Sequence, residues 1–350
     1  MNTTIPQINQ YFKTGYLFIA PGTSSTACQS NTCRPAGQIQ YNRSMHGNSK
    51  LKGVFAAALT PLHSDGTLAL EDLPPLLAFL ARRGCHGALL LGTTGEGPSF
   101  SPQERRAIFQ TALQVRQEFP DFRLLGGTGT PSLDETVELT RMAFDLGLDG
   151  VVVLPPYYYR QVSDAGLFAW YETVIRRAVP DGGAFLVYHI PPVSGVPISL
   201  DLLARLLDAF PTRFTGIKDS SADPDHARAL GARFGTDLTV LNGTDNLFSL
   251  ALKNSASGCI TALANLAAPV LRRVWEAHQR GQDDPQAGEV LHAARAVIRR
   301  HPPAAPLLKA ALASGYGFPH WGVRPPLCSL SADQQHSIIA EFGDMNQFDG

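Results

Sequence analysis

The sequence predicts a closed (β/α)8 barrel followed by a small C-terminal helical region. From Gly53 onward, eight short apolar runs alternate with stretches of helical periodicity. Alternating buried strands and amphipathic helices mean parallel strands, because each crossover returns the chain to the same edge. The turn after the first run, Thr60-Pro61-Leu62-His63, lacks the glycine fingerprint that an open doubly wound sheet carries there. Eight repeats without that fingerprint fit a closed barrel better than an open sheet.

The first strand is expected over residues 54–59 and the first helix over 70–83. The second strand covers 88–91 and leads to a helix over 102–119. Its start is marked by Ser101, which can cap, and by Pro102 at the first helical position. Strands at 124–127, 151–154 and 185–189 pair with helices at 133–146, 164–178 and 200–210. Strands at 215–218, 238–241 and 258–261 pair with helices at 225–234, 247–253 and 269–278. About 70 residues then remain and read as helices near 285–300, 304–314 and 332–342. The expected division is an N-terminal extension over 1–50, the barrel over 51–280 and the C-terminal helices over 281–345.

The extension differs from everything after it. It is rich in Asn, Gln, Ser and Thr and has no periodicity. Its apolar patch at residues 16–20 is too short for a signal-peptide core and is followed at once by Pro21. It is read as disordered, with Met45 as an alternative start.

Among 350 residues, 44% are hydrophobic and 17% charged, as in a soluble globular protein with a substantial core. The net charge of −1, with signs mixed along the chain, excludes the basic face that nucleic-acid binding needs and gives no reason to invoke anionic membranes. No apolar run reaches the length of a membrane span. The five cysteines, Cys28, Cys33, Cys85, Cys259 and Cys328, are odd in number and scattered. They fit neither a disulfide framework nor a zinc site, so a reducing cytoplasm is the expected compartment. No histidine–carboxylate spacing suggests a metal, and no cofactor is expected.

In a barrel of this kind the chemistry sits at the carboxyl ends of the strands. The sixth strand ends in Ile217-Lys218-Asp219. Desolvation at the mouth of a buried strand disfavours an ammonium and makes a neutral amine available, which can condense with a ketone to a Schiff base. The fifth strand ends in Tyr188-His189, and a phenol can donate and accept a proton at one place. After the second strand comes Gly92-Thr93-Thr94-Gly95-Glu96, whose amides and hydroxyls could bind a small carboxylate.

The set GTTGE at 92–96, PPYY at 155–158, Tyr188 with Pro191, GIKDSS at 216–221 and NGTD at 242–245 resembles the dihydrodipicolinate synthase / N-acetylneuraminate lyase family of Schiff-base aldolases. The resemblance covers roughly residues 53–340. It implies that Lys218 attacks the ketone of pyruvate or another 2-oxo acid and that Tyr188 relays protons at the aldol oxygen. It implies that Thr93 and Thr94, with Gly92, hold the 2-oxo acid carboxylate. It further implies that Thr93 links Tyr188 to Tyr158, supplied across a subunit interface of a homo-oligomer, commonly a tetramer of two tight dimers, and that Gly243 and Ile260 line the pocket with backbone groups.

The chain departs from that pattern at two places. Val193 occupies the position of an arginine that meets a substrate carboxylate in the synthases, and an apolar side chain offers no bidentate ion pair. His189 replaces an asparagine and can itself titrate; Val193 is expected to line the substrate pocket, and His189 either to line it or to make a structural hydrogen bond. The favoured activity is therefore a lyase or aldolase that releases pyruvate or a relative, on a 4-hydroxy-2-oxoglutarate or 2-keto-3-deoxy sugar-acid type of substrate, with an aldehyde as the second partner. Alternatives are 4-hydroxy-tetrahydrodipicolinate synthase with a displaced arginine, a keto-deoxy sugar-acid dehydratase, and a non-catalytic barrel that binds a 2-oxo acid. Blander roles are expected for Tyr157 and Tyr159 (packing), Glu96 (bracing its loop), Asp219 (bracing the sixth turn), His63 and His86, and the rigid turn at 323–327.

Overall fold

Continuous apolar runs such as Val151-Val152-Val153 form strands because both faces are buried, one against the barrel interior and one against helices. A computed structural model describes residues 51–349. The extension expected over 1–50, with Cys28 and Cys33, lies outside the described residues. The strands are β1 (Gly53–Ala57), β2 (Gly87–Leu90), β3 (Arg123–Gly127), β4 (Gly150–Val153), β5 (Ala184–His189), β6 (Phe214–Asp219), β7 (Thr239–Asn242) and β8 (Gly258–Thr261). Each pairs in parallel with the next, and β8 returns to β1 through Gly53↔Gly258 to Ala56↔Thr261, which closes the barrel.

β1 stops two residues before the apolar run does. The Leu59 amide donates to Asn265 Oδ1 at 3.3 Å, and Asn265 Nδ2 donates to the Ala57 carbonyl at 2.8 Å. A side chain thus replaces the sheet ladder there. At the other end of β1, Gly53 has φ +101, and a Cβ on it would lie 2.3 Å from the His86 ring. That ring accepts the Val54 amide on Nδ1 at 2.9 Å, so glycine is needed for the close approach.

The helices are α1 (Leu73–Arg82), α2 (Pro102–Ala112), α3 (Leu133–Asp145), α4 (Asp164–Ala178), α5 (Pro191–Ser194), α6 (Leu200–Ala209), α7 (Pro224–Phe234), α8 (Phe248–Lys253), α9 (Ala264–Gln279), α10 (Pro285–Arg300), α11 (Ala304–Tyr316) and α12 (Ala332–Glu341). Caps set many of their starts. Ser101 and Glu104 form a full capping box on α2, and Ser132, Ser163 and Ser199 each accept an amide of the first turn.

Three helices differ from the sequence expectation. α2 ends at Ala112 and continues as a tighter 3-10 turn over Leu113–Gln117. α5 is one turn begun by Pro191-Pro192, whose fixed φ suits a helix start, and it is too short for periodicity to reveal. α9 starts at Ala264, ahead of Pro269, because the missing proline amide and its ring are accommodated by non-helical dihedrals at Ala267 rather than by a break.

The C-terminal helices belong to the same compact unit as the barrel. Their attachment is electrostatic as well as apolar. Lys309 on α11 donates to Glu96 Oε1 at 2.5 Å and to the Gly322 carbonyl at 2.7 Å, and both charged groups are fully buried. The Arg324 amide donates to the second Glu96 oxygen at 3.1 Å. The Arg324 guanidinium reaches Glu104, Ser99 and Gly66. The turn at 323–327 therefore clasps the loop after β2. Among the described residues, no helix is long and apolar enough to cross a membrane.

Removing one partner of a buried pair leaves the other charge uncompensated. Lys309→Met is expected to destabilise the protein by about 3–5 kcal/mol in chemical denaturation. Lys309→Met with Glu96→Gln should recover part of that loss, and equal stability of the single variant and wild type would contradict the clasp.

Candidate active site

Side chains alternate across a strand with period two. On β5 this sends Ala184, Leu186 and Tyr188 into the barrel, where they pack with Leu89, Leu125, Val152, Leu241 and Ile260. The register pairs Tyr188 with Lys218 and His189 with Asp219. Lys218 thus lies beside Tyr188, 3% exposed, with its Nζ 4.1 Å from the centre of the Tyr188 ring. The Thr93 Oγ1 and Tyr188 hydroxyl are 3.4 Å apart, and either can donate. Burial alone pushes the Tyr188 phenol up. The charge of Lys218 and hydrogen bonds from Thr93, Lys218 and Ser220 outweigh it, and the phenol is held below its ordinary value.

The loop carrying Thr93 is held in an uncommon backbone shape. Leu91 and Glu96, on either side of it, have φ of 57° and 56°, in the left-handed region that disfavours side chains. Thr60 Oγ1 donates to the Gly95 carbonyl at 2.7 Å, and the Gly97 amide donates to the Gly92 carbonyl at 3.1 Å. Glu96 braces the loop through Lys309 and Arg324, as the sequence suggested.

A cavity of about 220 Å³ opens at this end of the barrel, lined among others by Gly92, Thr93, Tyr188, Val193, Tyr157 and Arg105. The sequence-based residues divide around it. Gly92, Thr93, Tyr188 and Val193 line it, while Lys218 is packed against the Tyr188 ring and is not part of the lining. Thr94 is buried in the loop, and Ile260 lies in the barrel core. A Cβ on Gly243 would lie 1.8 Å from Ser220 Oγ, so that glycine lets the β6 and β7 loops touch. Tyr158 is 76% exposed, edge-on to Tyr159, and not part of the cavity lining. Tyr157, read from sequence as packing, lines the cavity instead.

Of the two roles expected for His189, the structure shows the hydrogen bond and not a place in the lining of this cavity. One residue past Tyr188, His189 faces the other side of the barrel wall. Its Nδ1 accepts the Ile198 amide at 3.0 Å, and its ring stacks on His226 at 4.6 Å between centroids. Asp219, the matching residue on β6, lies 4.0 Å from His226 and accepts the Ser221 amide. The three residues each bring one ligand-type atom within 4.8 Å of the others, a grouping that sequence spacing hides. With Nδ1 taken by an amide donor, the neutral His189 ring carries its proton on Nε2 and offers no lone pair there to a metal.

Arg105 was missed because α2 reads as an ordinary amphipathic helix with two adjacent arginines, Arg105 and Arg106. His226 was missed because it lies seven residues beyond Asp219 in sequence, in the first turn of α7.

Three comparisons bear on this geometry. The family model described as "Dihydrodipicolinate synthetase family" matches residues 50–342. The chain is 38% identical over 294 residues to an "Uncharacterized DapA-like lyase" of Chloroflexus aurantiacus, covering 83% of this chain and 96% of that one. It matches the crystal structure of dihydrodipicolinate synthase from Agrobacterium tumefaciens with TM-score 0.74 and 30% identity, covering 83% of this chain and 98% of that one. YagE of E. coli K12, solved in complex with pyruvate, matches with TM-score 0.77 and 26% identity, covering 85% and 99%.

Burial first, then the neighbouring His226, lowers His189 from 6.5 to about 4. The folded value lies below the unfolded one, so the unfolded chain takes up the proton first as pH falls. The stability tied to the neutral ring is complete above about 6.5 and is lost as pH falls through about 4. His189→Asn keeps an acceptor for the Ile198 amide and should flatten this part of the acid-denaturation profile. An unchanged profile would show that His189 does not contribute to it.

Proposed function

We propose, for a chain that belongs to the dihydrodipicolinate synthetase family and is one of its carbon–carbon lyases, a class I mechanism in which Lys218 forms a Schiff base with pyruvate or another 2-oxo acid. The observation that carries this reading is the pairing of Lys218 with Tyr188 on adjacent strands, with the Thr93 hydroxyl beside the phenol.

In the cleavage direction, the Lys218 amine attacks the 2-oxo carbon, and with a proton from the Tyr188 phenol water leaves, giving an iminium and a phenolate. Tyr188, as phenolate, takes the proton of the substrate's 4-hydroxyl. The bond between carbons 3 and 4 breaks, the aldehyde departs, and the electron pair moves to the iminium nitrogen as an enamine. The enamine carbon regains a proton from Tyr188, and water then releases pyruvate, restores the amine and returns a proton to Tyr188. A phenol held below its ordinary value gives up its proton more readily in this sequence. Gly92 and Thr93, with Thr94 behind them, serve the 2-oxo acid carboxylate through loop amides and hydroxyls. Gly243 keeps the β6 loop in place, and Ile260 supplies apolar wall below the amine.

The substrate class favoured is a 4-hydroxy-2-oxoglutarate or keto-deoxy sugar acid, because Val193 lines the cavity without a charge to offer. The exposure of Tyr158 and Tyr159 suits a working homo-oligomer in which Tyr158 completes a neighbouring copy's relay to Thr93.

Borohydride reduction in the presence of pyruvate should leave a pyruvyl adduct on the Lys218 peptide, read by mass spectrometry. Absence of an adduct with pyruvate and a panel of 2-oxo acids would overturn the mechanism. Lys218→Ala should abolish both adduct and turnover, whereas a barrel that only binds its ligand would keep its affinity. Tyr188→Phe should keep the adduct and lower kcat by about 10²–10⁴-fold.

A further inference from the structure

Titratable side chains that the mechanism above does not use gather on the outer face of the barrel wall, at the ends of β5 and β6. His226, in the first turn of α7, lies with its Nε2 4.0 Å from Asp219 Oδ1. That nitrogen is buried and has no hydrogen-bond partner among the described residues. The ring is held on one face by His189, stacked at 4.6 Å between centroids and 23° between planes. Asp219 is buried as well, and its Oδ1 accepts the Ser221 amide at 3.1 Å. A second cavity, of about 530 Å³, opens against the cluster. It is lined among others by His189, His226, Ser221 and Asp223, so solvent reaches the imidazole.

A gap of 4.0 Å is too long for a hydrogen bond, whose heavy atoms lie about 2.7–3.2 Å apart. It is a separation that two acceptors keep. A neutral imidazole with its proton on Nδ1 presents a lone pair at Nε2, which a carboxylate oxygen repels. One proton on Nε2 reverses the sign of the contact. Imidazolium and carboxylate attract, and a charge-assisted bond draws the two atoms to about 2.7–2.9 Å. The other groups around the ring favour that charge or leave it alone. Asp223, the cap of α7, adds a second negative charge beside Asp219 and accepts the Asp225 amide. Asp225 pairs with Arg228 on the exposed side of α7, and Asp164 accepts from Ser199 at the start of α6. His189 on β5 is held down at about 4, first by burial and then by His226, so it stays neutral where an ordinary imidazole titrates.

We propose that His226 and Asp219 form a proton-operated latch on the outer wall of the barrel. Protonation of His226 closes the gap into an ion pair that ties the first turn of α7 to the end of β6, one residue beyond Lys218. Loss of the proton opens it. The pair exists on the acid side of the imidazole range, so its contribution to stability grows as pH falls from about 8 to about 5.5. That is opposite in sign to the contribution of the neutral His189 ring, which is lost as pH falls through about 4. The latch lies outside the barrel and does not rest on the Schiff-base reading of its interior.

The test is a double-mutant cycle in chemical denaturation, with wild type, His226→Gln, Asp219→Asn and the double variant compared at about pH 5.5 and about pH 8. At the lower pH the folding equilibrium constants should show a coupling of about tenfold between the two positions, as a buried charge-assisted bond gives. At the higher pH the coupling should vanish. Equal coupling at both pH values would mean a fixed contact and would overturn the latch, as would no coupling at the lower pH. Wild type alone supplies a second readout. In the nitrogen–proton NMR spectrum of protein with isotope-labelled histidine, the His226 Nε2–H should be protected from exchange at about pH 5.5 and lose that protection at about pH 8. A proton that exchanges freely at the lower pH would also sink the proposal. Neither measurement uses Lys218, so a missing pyruvyl adduct leaves the latch standing, and a missing latch leaves the Schiff-base mechanism standing.

Discussion

Adjacent parallel strands hold two side chains side by side and their successors on the opposite face, and the candidate site is built on that constraint. The β5–β6 register brings Lys218 to Tyr188 inside the barrel and Asp219 to His189 outside it. A slip of one residue on β5 would turn His189 inward in place of Tyr188, and a slip on β6 would turn Asp219 inward in place of Lys218, each against Leu241 and Ile260. The buried apolar layer therefore sets the register, and the register positions the candidate groups.

The outward pair has its own surroundings. His189 is fixed by the Ile198 amide and stacks on His226, and Asp219 turns back onto the Ser221 amide. These contacts brace the same strand ends that carry Tyr188 and Lys218. The barrel wall is thus polar on both sides at the carboxyl ends of β5 and β6, with His189 and Asp219 outside and Tyr188 and Lys218 inside.

The loop after β2 is stabilised from three directions. Thr60 holds Gly95, the Arg105 guanidinium holds the carbonyls of Gly97 and Phe100, and the C-terminal region supplies Lys309 and Arg324 to Glu96. Left-handed φ values at Leu91 and Glu96 are tolerated because these contacts over-determine the backbone. The helices after the barrel are consequently part of the apparatus that presents Thr93, although none of their side chains has been assigned to the chemistry.

The order of strands and helices was legible in the sequence, because buried parallel strands must be continuously apolar and their helices amphipathic, and both patterns are local. The ends of the strands, with Lys218, Tyr188 and the Thr93 loop, were legible too, since the barrel directs those positions to one face. The exact stop of β1 was not, because it depends on Asn265, more than two hundred residues away in sequence. Nor were the clasp of Lys309 on Glu96, the stacking of His189 on His226, or the arrival of Arg105 at the cavity. A charged residue on an amphipathic helix has the same sequence signature whether water or a cavity receives it. Only the packing of α2 against the loop and β3 decides which, because burial and electrostatic pairing are properties of what folds against a side chain.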